Sequence, residues 1–87
     1  MEKFKVACYH KSNALMPTKG GKLIITETEY IIKYLFVTIA KYKIDNTIAS
    51  KKFFILKGIN LDDGEKQIDL YFLSKTAQKA YEYLNLK

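Results

Sequence analysis

Residues 67–84 read Gln67-Ile68-Asp69-Leu70-Tyr71-Phe72-Leu73-Ser74-Lys75-Thr76-Ala77-Gln78-Lys79-Ala80-Tyr81-Glu82-Tyr83-Leu84, and two periods meet inside them. As far as Phe72 the residues alternate, with Ile68, Leu70 and Phe72 turned one way, which is the period of a half-buried strand. From Ser74 the apolar positions Ala77, Ala80, Tyr81 and Leu84 fall three and four apart, the stripe of an amphipathic helix. Ser is a preferred N-cap, so Ser74 is the expected start, and the helix is expected over residues 74–86. Lys75, Gln78, Lys79 and Glu82 then lie on its wet side. A last strand that hands over to one helix suggests strands first and a helical lid at the end.

The rest of the chain agrees with that order. Phe4, Val6 and Cys8 alternate against Lys3 and Lys5, so residues 3–9 are an expected strand. Residues 13–16 read as a short edge strand ending at Pro17, which cannot donate to a ladder. Residues 18–21 read as a turn around Gly20-Gly21. Residues 22–26 and 30–35 are rich in β-branched side chains and read as a hairpin joined by Glu27-Thr28-Glu29. In residues 39–44, Ala40, Tyr42 and Ile44 alternate with Lys41 and Lys43. A polar stretch follows at 45–47, then a strand at 53–59 and a strong turn signal at Asp62-Asp63-Gly64-Glu65. The expectation is about six or seven short strands, one helix, and a single domain over residues 1–87.

An 87-residue chain leaves no room for a second domain and gives a modest stability margin. The chain is 48% hydrophobic, enough for one core and too much for a disordered tail. Cys8 is the one cysteine and His10 the one histidine, so neither an internal disulfide nor a Cys/His metal site can be assembled. The first residues lack a signal-like apolar run, and the longest apolar region, 31–40, is interrupted by Lys33 and too short to cross a bilayer. A cytoplasmic chain, peripheral to the membrane if it meets one, is expected.

Those features bound the chemistry. Cys8 and His10, two apart, would share a strand face, but a nucleophile–base pair also needs an orienting group and an oxyanion hole. Asp62, Asp63, Glu65 and Asp69 are too compressed for a calcium loop. Gly20-Gly21 lacks the spacing and following helix of a phosphate-binding loop. No enzyme and no cofactor is expected.

The strongest functional signal is charge. The formal charge is +6, and all fifteen cations are Lys. Lys33, Lys41, Lys43, Lys51, Lys52 and Lys57 fall within residues 33–57 against one acid, interleaved with Tyr30, Tyr34, Phe36, Tyr42, Phe53 and Phe54. Lys33, Lys41, Lys43, Lys51 and Lys52 are the candidate binding residues, with Lys51 and Lys52 expected in a connection between strands. Such a surface suits anionic headgroups or nucleic acid. The absence of Arg weighs against nucleic acid, because Lys cannot copy its bidentate contacts. Tyr42, and likewise Tyr30 and Tyr34, also alternate against the neighbouring lysines, the wrong arrangement for stacking bases.

The stretch Gly21-Lys22-Leu23-Ile24-Ile25-Thr26-Glu27-Thr28-Glu29-Tyr30-Ile31-Ile32-Lys33 resembles the G-x-L-x-(I/L)-T-x-x-x-(I/L)-I-(F/I)-x hairpin of GRAM and bacterial pleckstrin-homology-like domains. Residues 42–50 are similar to the strand and turn that such domains write with a Pro, which is missing here. Residues 64–84 resemble their closing strand and helix. The resemblance covers residues 13–86. It implies an α+β fold, mainly β, in which a curved antiparallel sheet or open barrel is capped by the helix. It also implies a non-enzymatic interaction module that binds a protein partner or an anionic membrane surface. A small basic nucleic-acid-binding protein is the alternative, and exposed sheet edges offer a route to homo-oligomers.

Overall fold

The computed structural model describes residues 1–11 and 14–86, the side chains of residues 14–19 excepted. Its elements are β1 (Glu2–Lys11), β2 (Ala14–Ile25), β3 (Glu29–Tyr34), β4 (Val37–Lys43), β5 (Ile48–Phe53), β6 (Lys57–Asp62), β7 (Gln67–Tyr71) and α1 (Ser74–Leu84). The strands form one antiparallel sheet in the order β4-β3-β2-β1-β7-β6-β5, and α1 caps it. The fold is mainly β with one closing helix, as the alternation and the helical stripe require.

That order puts β4 and β5 at opposite edges, yet only a 3-10 turn, Ile44–Asn46, and Thr47 separate them in sequence. Seven strands laid flat would span about 29 Å, whereas the link from Lys43 to Ile48 reaches about 17 Å at most. The sheet must therefore roll. Lys66, in the β6–β7 turn, donates from Nζ to the Lys41 carbonyl at 2.8 Å, holding one end of the roll together. Inside it one core gathers Phe4, Leu23, Ile32 and Tyr42 from the first four strands with Ile59, Leu61, Ile68 and Leu70 from the last.

Helix α1 closes that core with Ala77, Ala80 and Tyr81, while Leu84 packs at its margin. The Tyr81 hydroxyl donates to the Gly58 carbonyl at 2.8 Å, and Phe4 meets Tyr83 edge-on. Ser74 is the first helical residue and not the cap. Leu73 holds the cap position in an extended conformation, with no side-chain cap bond. The helix ends at Leu84, the last position of its stripe and two residues short of the expected end at 86. Asn85 turns left-handed, and the N–H groups of Asn85 and Leu86 bond back to Glu82 and Tyr81, the reciprocal pattern that satisfies a helix's last carbonyls.

Three strand boundaries also differ from expectation. The expected edge strand and the turn at 18–21 are both part of β2, and Asn13, the expected start, lies outside the described residues. The register of β1 on β2 jumps from Val6↔Gly21 to Cys8↔Pro17, so residues 18–20 form a bulge opposite Ala7. Gly20, at φ 86°, supplies the positive φ expected of it, in a bulge and not in a hairpin turn. The expected strand at 53–59 is split by a turn, because β5 already ends at Phe53 and β6 begins at Lys57. Lys51 and Lys52 accordingly lie within β5 and not in a connection. Ile44 belongs to the 3-10 turn. The expected turn at 62–65 is present: the Asp62 and Asp63 carboxylates accept the Gly64, Glu65 and Lys66 backbone N–H groups at 2.8–3.0 Å.

Candidate functional site

The hairpin of β2 and β3 sets the geometry of the basic surface. Thr26 Oγ1 accepts the Glu29 N–H at 3.0 Å, and the Thr26 N–H donates to the Glu29 carbonyl at 2.9 Å, closing the connection in a fixed register. That register pairs Leu23 with Ile32, both inward, and Lys22 with Lys33 on the other face. On the far side of β2, Lys22 is opposite Lys5. Lys5, Lys22 and Lys33 thus form one rung across three adjacent strands, about 5 Å between neighbours.

The same face continues along the strands, since side chains alternate with period two. Lys3 lies two residues before Lys5 on β1. Lys41 pairs with Ile31 and Lys43 with Glu29 on β4. Ile24 and Ile31, both half-buried, fill the centre of the face. Six lysines surround them, and no described acid comes within ion-pair distance of any of the six. Like charges placed directly opposite cost roughly 0.2–1 kcal/mol per pair. The lysine rung is therefore a local liability for folding.

Of the five candidate lysines, the structure brings together Lys33, Lys41 and Lys43. It places Lys51 and Lys52 on the opposite edge strand, where both are engaged. Lys51 Nζ lies 4.9 Å from the centre of the Tyr81 ring, and Lys52 Nζ lies 3.9 Å from Asp69 Oδ2. Lys3, Lys5 and Lys22 take their place in the face. The signal for them was available in strand parity, but only a fixed hairpin register shows that Lys5, Lys22 and Lys33 coincide.

A second polar cluster occupies the outer face of β1, β6 and β7. Asp69 is buried, and Asn60 Nδ2 donates to its Oδ1 at 2.7 Å. His10 Nδ1 stands 3.6 Å from Asp69 Oδ2, too long for a hydrogen bond. Cys8 is opposite Tyr71 on this face, and burial raises its thiol pKa, which keeps the nucleophilic thiolate scarce at neutral pH. The histidine is directed at the Asp69 carboxylate, and no hydrogen bond joins His10 to Cys8 among the described contacts. Among the described residues no group of three His, Cys, Asp or Glu side chains is placed to hold a metal ion.

Apolar side chains are exposed at two hairpin tips. The β3–β4 tip is Tyr34-Leu35-Phe36-Val37, and the β5–β6 tip contains Phe53, Phe54 and Ile55. Phe54 rests against Tyr71, with ring centres 6.3 Å apart. Of the rings interleaved with the lysines in sequence, Tyr30 and Tyr42 are buried in the core, whereas Tyr34, Phe36, Phe53 and Phe54 are exposed at the two tips. Among the described residues no helix is long and apolar enough to cross a membrane. No family model matches the chain, and neither a curated protein nor a solved structure matches it.

Proposed function

We propose that the chain is a non-catalytic docking module, of the GRAM or pleckstrin-homology-like kind, that settles on anionic bilayer surfaces through the outer face of β1–β4. The carrying observation is the rung Lys5–Lys22–Lys33, flanked by Lys3, Lys41 and Lys43, with no described acid within ion-pair distance. The rolled antiparallel sheet and its helical cap support the family part of the reading. A cytoplasmic protein held peripherally at the membrane follows from the proposal.

A lysine near an anionic bilayer contributes about 1 kcal/mol. Six engaged together would supply at most about 6 kcal/mol, an affinity between millimolar and micromolar. Binding of this kind is reversible and strongly screened by salt. Nucleic acid is less favoured because Lys cannot copy the bidentate contacts of Arg, and because Tyr30 and Tyr42, the rings level with the lysines, point into the core, leaving Tyr34 and Phe36 exposed only at the β3–β4 tip.

Co-sedimentation with vesicles tests the proposal. Binding is expected to rise with the phosphatidylglycerol content of phosphatidylcholine vesicles and to collapse at high salt. Lys22→Glu with Lys33→Glu is expected to weaken it about thirtyfold or more, from two lost contacts of about 1 kcal/mol each. Salt-independent binding to neutral vesicles, or submicromolar oligonucleotide binding lost in the same variant, would overturn it.

A further inference from the structure

The β3–β4 tip breaks the usual chemistry of a two-residue hairpin loop. Such loops favour Gly or Asn at their positive-φ position. Here Leu35 takes it, at φ 55°, a conformation that branched side chains seldom adopt. The conformation is braced: the Leu35 N–H donates to the Gly20 carbonyl at 3.4 Å, and Leu35 Cδ2 lies 3.0 Å from where a Cβ on Gly20 would stand. Beyond Leu35, itself 61% exposed, Phe36 is 97% exposed and Val37 63% exposed. The β5–β6 tip differs, because Phe54 there is used against Tyr71.

We infer that Leu35 and Phe36 are an insertion tip, which enters the acyl boundary of an anionic bilayer while the adjacent lysines hold its headgroups. This rests on the bilayer-docking reading and adds an orientation to it. Tyr34 pairs with Gly21, one residue beyond the Lys22–Lys33 pair, so tip and lysine rung are contiguous. Phe36 extends about 7–10 Å past Lys33 along the strand, which matches the depth at which interfacial apolar groups settle. The sheet therefore meets the bilayer tilted, tip lowest. Lys22 and Lys33 sit at the headgroups, and Lys41 and Lys43, at the far end of β4, stand further off.

The chain contains no Trp, so Phe36→Trp makes a lone reporter at a position that is almost fully exposed. Its emission is expected to shift to the blue on phosphatidylglycerol-containing vesicles and to be quenched by lipids brominated at shallow acyl positions. Leu35→Asn with Phe36→Ser, where Asn suits the positive φ, is expected to weaken vesicle binding roughly ten- to hundredfold with an unchanged thermal melt. Lys22→Glu with Lys33→Glu is expected to cost more binding than Lys41→Glu with Lys43→Glu. Co-sedimentation of Phe36→Trp with no change in emission overturns insertion and leaves surface docking standing. Equal losses from the two lysine pairs overturn the tilt. Failure to co-sediment with anionic vesicles at low salt overturns both the insertion and the docking beneath it.

Discussion

Across β1–β4 the outward lysines have no described acid within ion-pair distance, although Glu29 pairs across the strands with Lys43, whereas across β5–β7 several outward groups are tied to one another. In the second half Asp69 takes a bond from Asn60 and lies near both His10 and Lys52, and Tyr71 is buried beneath Phe54, while Lys51, on the helix side of β5, covers Tyr81. In the first half the matching face holds Lys5, Lys22 and Lys33 in a row. The β1–β4 span, residues 2–43, carries eight Lys against three acids, and the β5–β7 span, residues 48–71, four Lys against four acids, so the second half has acids at hand for its cations. What separates them is whether each charge has a partner inside the fold. Charges the fold leaves unpartnered are the ones free to meet a partner outside it.

If the outer face of the second half serves folding, crowding it should be the most damaging change. A Cβ on Gly58 would stand 2.4 Å from the Leu70 carbonyl oxygen and 2.7 Å from Tyr71 Cδ1. The backbone oxygen cannot yield without disturbing the β6–β7 ladder, so Gly58→Ala is expected to cost about 3 kcal/mol. Gly64→Ala meets no atom within 4 Å but must hold φ 90°, a strain of about 1–2 kcal/mol. Urea unfolding of the two variants checks the order, and a milder Gly58→Ala would mean that this face is looser than its geometry.

Strand parity makes most of the inner face of this fold legible, and the helical stripe its lid. The exception is Cys8, expected beside Phe4 and Val6 but placed with Tyr71 on the outer face, because Tyr9 takes the inward position past the β1–β2 irregularity. Ile68, Leu70 and Phe72 are buried as their alternation requires, and so are Ala40 and Tyr42. Two further kinds of feature were not legible, for different reasons. Gly20 satisfies a bulge as well as a turn, since both need only a positive φ, so local composition cannot separate one 12-residue strand from two elements. The tips at residues 35–36 and 54–56 carry Leu, Phe and Ile where turn residues belong, which hid the β5–β6 turn altogether. Places where sound local rules fail are expected at functional sites. The lysine face was half legible: Lys33, Lys41 and Lys43 follow from parity, but Lys5 and Lys22 join them only through a register that Thr26 and the bulge fix.

The next test concerns the inner face of the first half. Tyr42 is buried, its hydroxyl has no hydrogen-bond partner among the described groups, and Lys66 lies over its ring at 4.8 Å. Burial first, then the charges of Asp63 and Asp62, push its pKa up to about 12. The fold therefore holds the neutral phenol. Stability is intact below the unfolded value of about 10 and falls by about 2–3 kcal/mol as pH climbs towards 12. Tyr42→Phe is expected to leave stability at pH 7 unchanged or slightly raised and to flatten this alkaline loss. Thermal melts from pH 8 to about 12 check it, and an equally steep loss in the variant would shift the cause to Tyr30, Tyr71 and Tyr81, which burial also raises.

A smaller effect probes the polar cluster itself. Asn60→Ala removes the 2.7 Å bond to Asp69, leaving a buried carboxylate with His10 and Lys52 at longer range. Hydrogen bonds to charged groups are worth about 1.5–3 kcal/mol, and the partial access of water to Asp69 places the expected loss near 1.5 kcal/mol. Chemical denaturation at pH 7 measures it. A loss within error of zero would show that Asp69 is held by its strand alone and that the second half's outer face is no more committed to folding than the first's.

The smallest expected effect divides the two halves by sign. Lys22→Gln removes the middle charge of the rung and relieves two like-charge contacts, with Lys5 and with Lys33. Exposed contacts of this kind cost a few tenths of a kcal/mol each, so the variant is expected to be more stable by about 0.5 kcal/mol at low salt. Lys52→Gln removes a cation 3.9 Å from Asp69, with the lysine side chain 48% exposed. Solvent screening limits that pair to a fraction of a kcal/mol, so this variant is expected to be slightly less stable. Both differences should shrink as salt rises, because each is Coulombic and partly exposed. Only Lys22→Gln should also weaken binding to anionic vesicles. Urea midpoints at two salt concentrations, read beside vesicle binding, resolve the signs. If both substitutions move stability the same way, the lysine rung carries no repulsion, and the case for a face kept at a cost to folding fails with it.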